Sequence, residues 1–312
     1  MSQVQALRRA AAECPSPLLP GARIACDGGA GALAGRLELS SGTRQAGADA
    51  ELAPRYAESA FLPRPPWRRP GAAELAGLHF DSSPDAGPWR PGADVAILRI
   101  AADVFADFAD MLEQHGVREC PHRKTDGPIE RHPRWAANLA ALNACLAGLT
   151  SGRFNQIHYR TAEPGQLTLT RDSYGAEASR QKRVGLHADH WDGLPLRHRH
   201  RGRNRICLNL GRQARYVLFI NLPMMDLFRA AGLRDPEDIY TDFRGLRLGE
   251  RFAKIRPDYP VIRLRLEPGE AYVLPTDNLI HDGSTEGSRY TDVTLTYLGT
   301  FVPHALAGAQ ER

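Results

Sequence analysis

The stretch Val184-Gly185-Leu186-His187-Ala188-Asp189-His190-Trp191-Asp192-Gly193 sits at the end of a predicted strand and runs into a turn signal. On extended backbone, side chains two residues apart share a side. His187 and Asp189 therefore point one way and Ala188 the other. An imidazole and a carboxylate so placed can reach one metal ion together. A third ligand must come from elsewhere in the chain. The candidate is His281, within Pro275-Thr276-Asp277-Asn278-Leu279-Ile280-His281-Asp282-Gly283. It lies just past the apolar strand 271–275, which the turn Glu267-Pro268-Gly269-Glu270 launches. Two imidazoles and one carboxylate on one face of an octahedron leave three positions open. That is the arrangement oxygen-activating iron(II) needs.

Working outward from this stretch, the apolar pattern after Gly152 is that of strands. Period-two or continuous apolar runs fall at 154–159, 166–170, 205–210, 215–221, 261–266, 271–275 and 291–298, mostly separated by turn residues. Before Gly152 the pattern is helical. Ile100, Val104, Phe105, Phe108 and Leu112 predict a helix within 96–117 that Gly116 stops. Trp135, Leu139, Leu142 and Leu146 predict another over 133–149. Shorter helical stretches are predicted near 3–13 and 45–60, and Leu62-Pro63-Arg64-Pro65-Pro66-Trp67 reads as an extended connector. Helices first and strands after predict an α+β chain. Residues 1–152 form a helical, loop-rich region packing on the core. Residues 153–312 form the catalytic β unit, with a helical insertion near 225–243.

The ordered set now carries a resemblance. H-x-D, then roughly ninety residues with strands, then P-G-E and a strand ending near a His, then an Arg, resembles the iron(II)/2-oxoglutarate-dependent dioxygenase superfamily. The likeness covers roughly residues 154–301. It implies a double-stranded β-helix, or jelly-roll, core with flanking helices. It implies iron(II) on His187, Asp189 and His281, with 2-oxoglutarate and O₂ as co-substrates. In that superfamily a basic residue on the strand after the distal His binds the remote carboxylate of the keto acid. Arg289 lies eight residues past His281, and with Thr291 it resembles the R-x-S pair of some members. A guanidinium can grip a carboxylate through two parallel hydrogen bonds. Arg205 and Arg212 are next in line for that role. The implied activity is hydroxylation, or another oxidation, of a C–H bond in a small polar metabolite, such as an amino acid or specialised-metabolite intermediate.

Several residues support two readings. His190 and Trp191 either wall the substrate pocket or belong to a turn around Asp192 and Gly193. Asn155 and Tyr159, on the first predicted strand, either contact keto acid or substrate or simply pack. The run Arg197-His198-Arg199-His200-Arg201-Gly202-Arg203-Asn204-Arg205 is either a solvated loop or a lid that attracts an anionic substrate. Two other classes compete. A zinc-dependent hydrolase could draw on His187, Asp189, His190 and Asp192, although these four contain no H-x-H element. A non-redox metal-binding β-barrel protein would use the same ligands without oxidation.

Bulk properties narrow the classes. The 312 residues are 42% hydrophobic, enough for a large core. A formal net charge of +4 does not by itself imply nucleic acid. Of 40 basic residues only Lys124, Lys182 and Lys254 are lysines, so an arginine cluster is not by itself a site. The amino terminus lacks the apolar stretch of a secretory signal, and no run approaches a membrane span. Five widely spaced cysteines with no C-x-x-C argue against a disulfide framework or a zinc knuckle. The expectation is a cytoplasmic enzyme with a small-molecule partner, no nucleic acid and no membrane.

Overall fold

Alternating apolar residues build two stacked sheets, which helices flank. The structure is a computed structural model that describes residues 17–81, 87–119, 128–150, 152–172, 181–234 and 246–303. In chain order the elements begin with β1 (Ile24–Ala25), α1 (Gly29–Ala34), β2 (Leu37–Leu39), β3 (Thr43–Gln45), β4 (Tyr56–Pro63) and α2 (Ala72–Leu78). There follow β5 (Val95–Arg99), α3 (Ala102–Gln114), α4 (Trp135–Ala147), β6 (Asn155–Ala162) and β7 (Arg183–Gly185). The remainder comprises β8 (Asn204–Asn209), β9 (Arg215–Phe219), α5 (Met224–Ala230), α6 (Leu246–Ile255), β10 (Ile262–Leu266), β11 (Glu270–Leu274), β12 (His281–Ser284) and β13 (Asp292–Gly299).

One sheet has the order β1-β5-β11-β8-β13-β6, and a second has β12-β9-β10-β2. A small third sheet, β3-β4-β7, lies beside them. From β8 onward the chain passes repeatedly between the two large sheets. β8 lies in the six-stranded sheet, β9 and β10 in the four-stranded one, β11 returns, β12 crosses again and β13 returns. Val217 and Phe219 of β9, Ile262 and Leu264 of β10, and Tyr272 and Leu274 of β11 fill the space between them. The architecture is α+β, with antiparallel pairing among β6 and β8–β13.

The opposite face of the six-stranded sheet carries Ile206, Leu208, Val273, Val293 and Leu295. Against it pack Val104, Phe108, Met111 and Leu112 of α3 and Trp135, Leu142 and Leu146 of α4. These spacings recur every three, four or seven residues, so each helix turns one apolar stripe inward. Each fully buried side chain of this size stabilises by about 1.5–3 kcal/mol. Gly116 ends α3 with φ 72°, and Val117 N donates back to Leu112 O, closing the helix as its sequence predicts. On the far side, α5 and α6 bury Leu227, Phe228, Leu248 and Phe252 against Leu218 and Ile220.

The region before 152 supplies strands as well as helices. β5 pairs with β11, and β2 pairs with β10. The helix predicted over 96–117 is a strand followed by a helix: Val95 and Ile97 enter the inter-sheet core before α3 begins at Ala102. The helix expected near 45–60 is a single 3-10 turn, Ala46–Ala48, followed by β4, where Tyr56, Ala60 and Leu62 are buried at even spacing. The run 166–170 forms no strand; its Leu169 and Thr170 amides donate to Asp282 Oδ1 instead. The helix near 3–13 lies outside the described residues, as do residues 235–243 of the insertion, of which α5 is described. Among the described residues no helix is long and apolar enough to cross a membrane.

Candidate metal centre

The site begins at a glycine. β7 pairs with β4, and Leu186 N donates to Phe61 O. Gly185 holds φ 69°, and a Cβ there would lie 2.5 Å from Phe61 O. Only glycine meets both demands without strain. Past this pivot the chain turns to β12. His187 N donates to His281 O at 3.1 Å and His281 N donates to His187 O at 2.7 Å. Two residues on, Asp189 N donates to Thr276 O. The backbone thus sets His187, Asp189 and His281 on one side of the junction.

The three side chains converge. Their ligand atoms all lie within 4.8 Å of one another. Asp189 Oδ1 is 3.8 Å from His187 Nε2, and Asp189 Oδ2 is 3.7 Å from His281 Nε2. Each imidazole is oriented in the same way. His187 Nδ1 donates to Gly185 O at 2.8 Å, and His281 Nδ1 to Leu279 O at 3.1 Å. A carbonyl only accepts, so Nδ1 carries the proton and Nε2 offers its lone pair. Burial pushes His281 down to about 3, so this ring is neutral at neutral pH. Burial would push the Asp189 carboxyl up, but the Arg205 guanidinium and the two imidazoles outweigh it. They hold Asp189 well below the usual carboxylate range. Two imidazole Nε2 atoms and one carboxylate facing one point are a donor set for a divalent metal.

A shell of charged groups fixes this arrangement. Arg205 Nη2 of β8 donates to Asp189 Oδ2 at 2.5 Å. Arg199, 2% exposed, donates to the carbonyls of Asp189 and Asp277 and to His190 Nδ1. The Asp277 carboxylate accepts from Trp191 N and Asp192 N. Asp192 pairs with Arg203. His190 and Asp192 therefore do not join the ligand cluster. The basic run is divided: Arg199, Arg203 and Arg205 brace the metal loop, whereas Arg197 and Arg201 are exposed.

Beside the ligands, between the sheets, lies a cavity of about 470 Å³ whose walls include His281, His158, Arg160, Arg215, Tyr272 and Thr296. Arg215 is 5% exposed and pairs through Nε with Asp292 at 3.0 Å. Burial opposes its charge, but Asp292 more than offsets this and raises its pKa. Trp191 stands above, its ring 5.6 Å from that of His158, with the Arg205 guanidinium 5.5 Å from its centroid.

Other predicted residues fall elsewhere. Arg289 is exposed in the turn before β13, and its backbone N donates to the Gln213 side chain. Thr291 donates its hydroxyl to Glu119 O. Neither lines the cavity. The reason is register: Asp292, Thr294 and Thr296 are the inward residues of β13. On β6 the inward residues are His158 and Arg160. Tyr159 points to the opposite face and packs on Trp135 with ring centroids 5.3 Å apart, and Asn155 is exposed at the strand start. Arg215 escapes the motif search, yet the sequence does carry a signal for it. It shares the inward phase of Val217 and Phe219, and a charge there is exceptional.

No protein-family model and no curated protein sequence matches this chain. Among solved structures it is similar to AviO1 from Streptomyces viridochromogenes Tue57, with a TM-score of 0.36 and 13% identity over 67% of this chain and 91% of that one. It is similar to the Kdo hydroxylase KdoO, a non-haem Fe(II) alpha-ketoglutarate-dependent dioxygenase, with a TM-score of 0.33 and 14% identity over 71% and 84% of the two chains. A variant of NvfI, an iron- and alpha-ketoglutarate-dependent endoperoxidase, matches with a TM-score of 0.33 and 10% identity over 86% and 97%.

Proposed function

We propose that the protein is an iron(II)- and 2-oxoglutarate-dependent oxygenase that oxidises a C–H bond of a small polar metabolite. The observation that carries this reading is the convergence of His187 Nε2, Asp189 and His281 Nε2, with both Nδ1 atoms tied to backbone carbonyls. The strand path supports a jelly-roll core, because from β8 to β13 the chain crosses four times between two facing sheets. A hydrolytic zinc site is less well supported, since His190 and Asp192 are engaged by Arg199 and Arg203.

His187, Asp189 and His281 would hold the metal on one face and leave the cavity side open. Iron(II), 2-oxoglutarate and O₂ together supply the oxidising power, with succinate and CO₂ released. Arg205 keeps the Asp189 carboxylate ionised and aimed. Arg215 takes the role expected of Arg289. Its Nε faces Asp292 and its Nη1 lies 3.5 Å from Cys207 Sγ, a weak acceptor, so the outer face of the guanidinium can receive the remote carboxylate of the keto acid. His158 and Arg160, below Trp191, line the substrate side. The test is succinate formation from 2-oxoglutarate by the iron-loaded chain under O₂, with product mass read across a panel of small metabolites. Turnover that proceeds without iron, or without 2-oxoglutarate, would refute the reading.

A further inference from the structure

The cavity beside the metal ligands continues outward into a second, polar bowl of about 330 Å³. The two share Glu163, Gln166, Arg171, Gln181 and Arg183. The bowl adds Arg55 and Lys182, so its wall carries four cationic side chains and one carboxylate, Glu163.

Arg183 is the anomalous member. It is 7% exposed, yet among the described residues its closest carboxylate contact is Glu163 at 3.9 Å, and that glutamate is 70% exposed. Its Nε has no hydrogen-bond partner among the described residues. Burial lowers its pKa, and the charges of Arg171 and Arg55 lower it further. A guanidinium is not normally buried with so distant and exposed a partner, because desolvating it is costly. Neighbouring cations add to that cost. Tyr56 offers only its ring face, 5.9 Å from the guanidinium carbon. The backbone places these cations together. Arg171 and Arg183 form an antiparallel bridge, and Arg183 N donates to Arg55 O.

We infer that this bowl is an anion subsite, and that the substrate carries a doubly charged anionic group at the end remote from the metal. Four cations against one carboxylate leave the bowl strongly cationic, and a dianion offsets more of that charge than a monoanion does. A phosphate monoester carries about −1.5 to −2 near neutral pH and presents several acceptor oxygens. A pair of carboxylates supplies the same charge. Planar guanidiniums suit both by parallel hydrogen bonds. The role of this anion as part of the oxidised substrate rests on the oxygenase reading; the subsite itself does not.

The test uses the full-length, metal-free chain, titrated calorimetrically at low salt with inorganic phosphate, malonate and acetate. Phosphate or malonate should bind at one site per chain, and whichever binds more tightly identifies the group. The Kd should rise about tenfold to a hundredfold in Arg183→Gln and in Arg171→Gln. Arg171 is exposed, so its variant carries the test if Arg183→Gln does not fold. Arg229→Gln, on α5 and paired with Asp226, should bind as the wild type does. Absence of binding by the wild type, equal binding by Arg171→Gln, or acetate binding as tightly as both dianions would each overturn the proposal. Neither iron nor 2-oxoglutarate is present, so this outcome is independent of whether the chain is an oxygenase.

Discussion

His187 and His281 are paired residue to residue. Each amide donates to the other's carbonyl, at 3.1 and 2.7 Å, and the ring centroids lie 4.9 Å apart. The spacing of these two candidate ligands, ninety-four residues apart in sequence, is therefore set by a backbone bridge rather than by side-chain packing. The bridge forms because Gly185 releases the chain from β4 and hands it to β12.

Gly185→Ala should therefore damage the metal site from outside it. The added methyl meets Phe61 O, and φ 69° is unfavourable for alanine. Such strain costs roughly 1–3 kcal/mol. Thermal unfolding should show this loss, and iron affinity should fall with it, because the Gly185 carbonyl also orients His187. Wild-type stability together with wild-type iron affinity would contradict the pivot role.

The keto-acid assignment separates two arginines. Arg215→Ala should weaken 2-oxoglutarate binding by ~2–5 kcal/mol, the range for truncating one partner of a buried charge pair. Arg215→Lys should recover part of this, since an ammonium cannot make two parallel bonds. Arg289→Ala should leave the affinity unchanged. Titration of the metal-loaded variants with 2-oxoglutarate decides between them; a loss in Arg289→Ala with none in Arg215→Ala would restore the motif-based assignment.

The basic run divides in the same way. Arg199→Gln removes a buried guanidinium with three acceptors and should cost ~1.5–3 kcal/mol of stability. Arg197→Gln and Arg201→Gln, at exposed positions, should fall within about 0.5 kcal/mol of wild type. Chemical denaturation of the three variants measures this; equal effects would mean that Arg199 bears no special load.

Much of this site is legible in the sequence because its geometry is local. His187 and Asp189 share a side by strand periodicity, and His281 follows a strand that a Pro-Gly turn announces. What fails is phase over longer range. Tyr159 and His158 differ by one position, and strand register decides which faces the cavity. Arg289 and Arg215 differ in the same sense. A motif fixes a distance along the chain, whereas cavity access depends on which strands become neighbours. The strand Val95–Arg99 reads as helix because its alternation is short and runs directly into the stripe of α3. Tertiary pairing with β11 overrides the local pattern.

Away from the site, Asp94 anchors the N-terminal strand. It is fully buried and accepts from both Arg23 and Arg90. Burial would raise its pKa, but the two guanidiniums outweigh this and hold it below the ordinary value. A depressed carboxylate contributes stability that is present above its unfolded pKa and lost as pH falls through the folded value. Asp94→Asn should therefore lower Tm at neutral pH by the equivalent of ~1.5–3 kcal/mol. The gap between wild type and variant should close as the medium is acidified. A gap that stays constant with pH would show that the charge of Asp94 is not what stabilises.

On the proposed reading, His187, Asp189 and His281 form one iron site that works with 2-oxoglutarate. The most direct measurement is iron content and succinate yield, on the same samples, for the wild type and for His187→Ala, Asp189→Ala and His281→Ala. The wild type should bind one iron per chain and release succinate from 2-oxoglutarate only when iron and O₂ are both present. Each variant should lose both properties while keeping the far-ultraviolet circular dichroism of the wild type. A wild-type chain that binds no iron, or a His281→Ala chain that keeps full iron content and full succinate yield, would contradict the account.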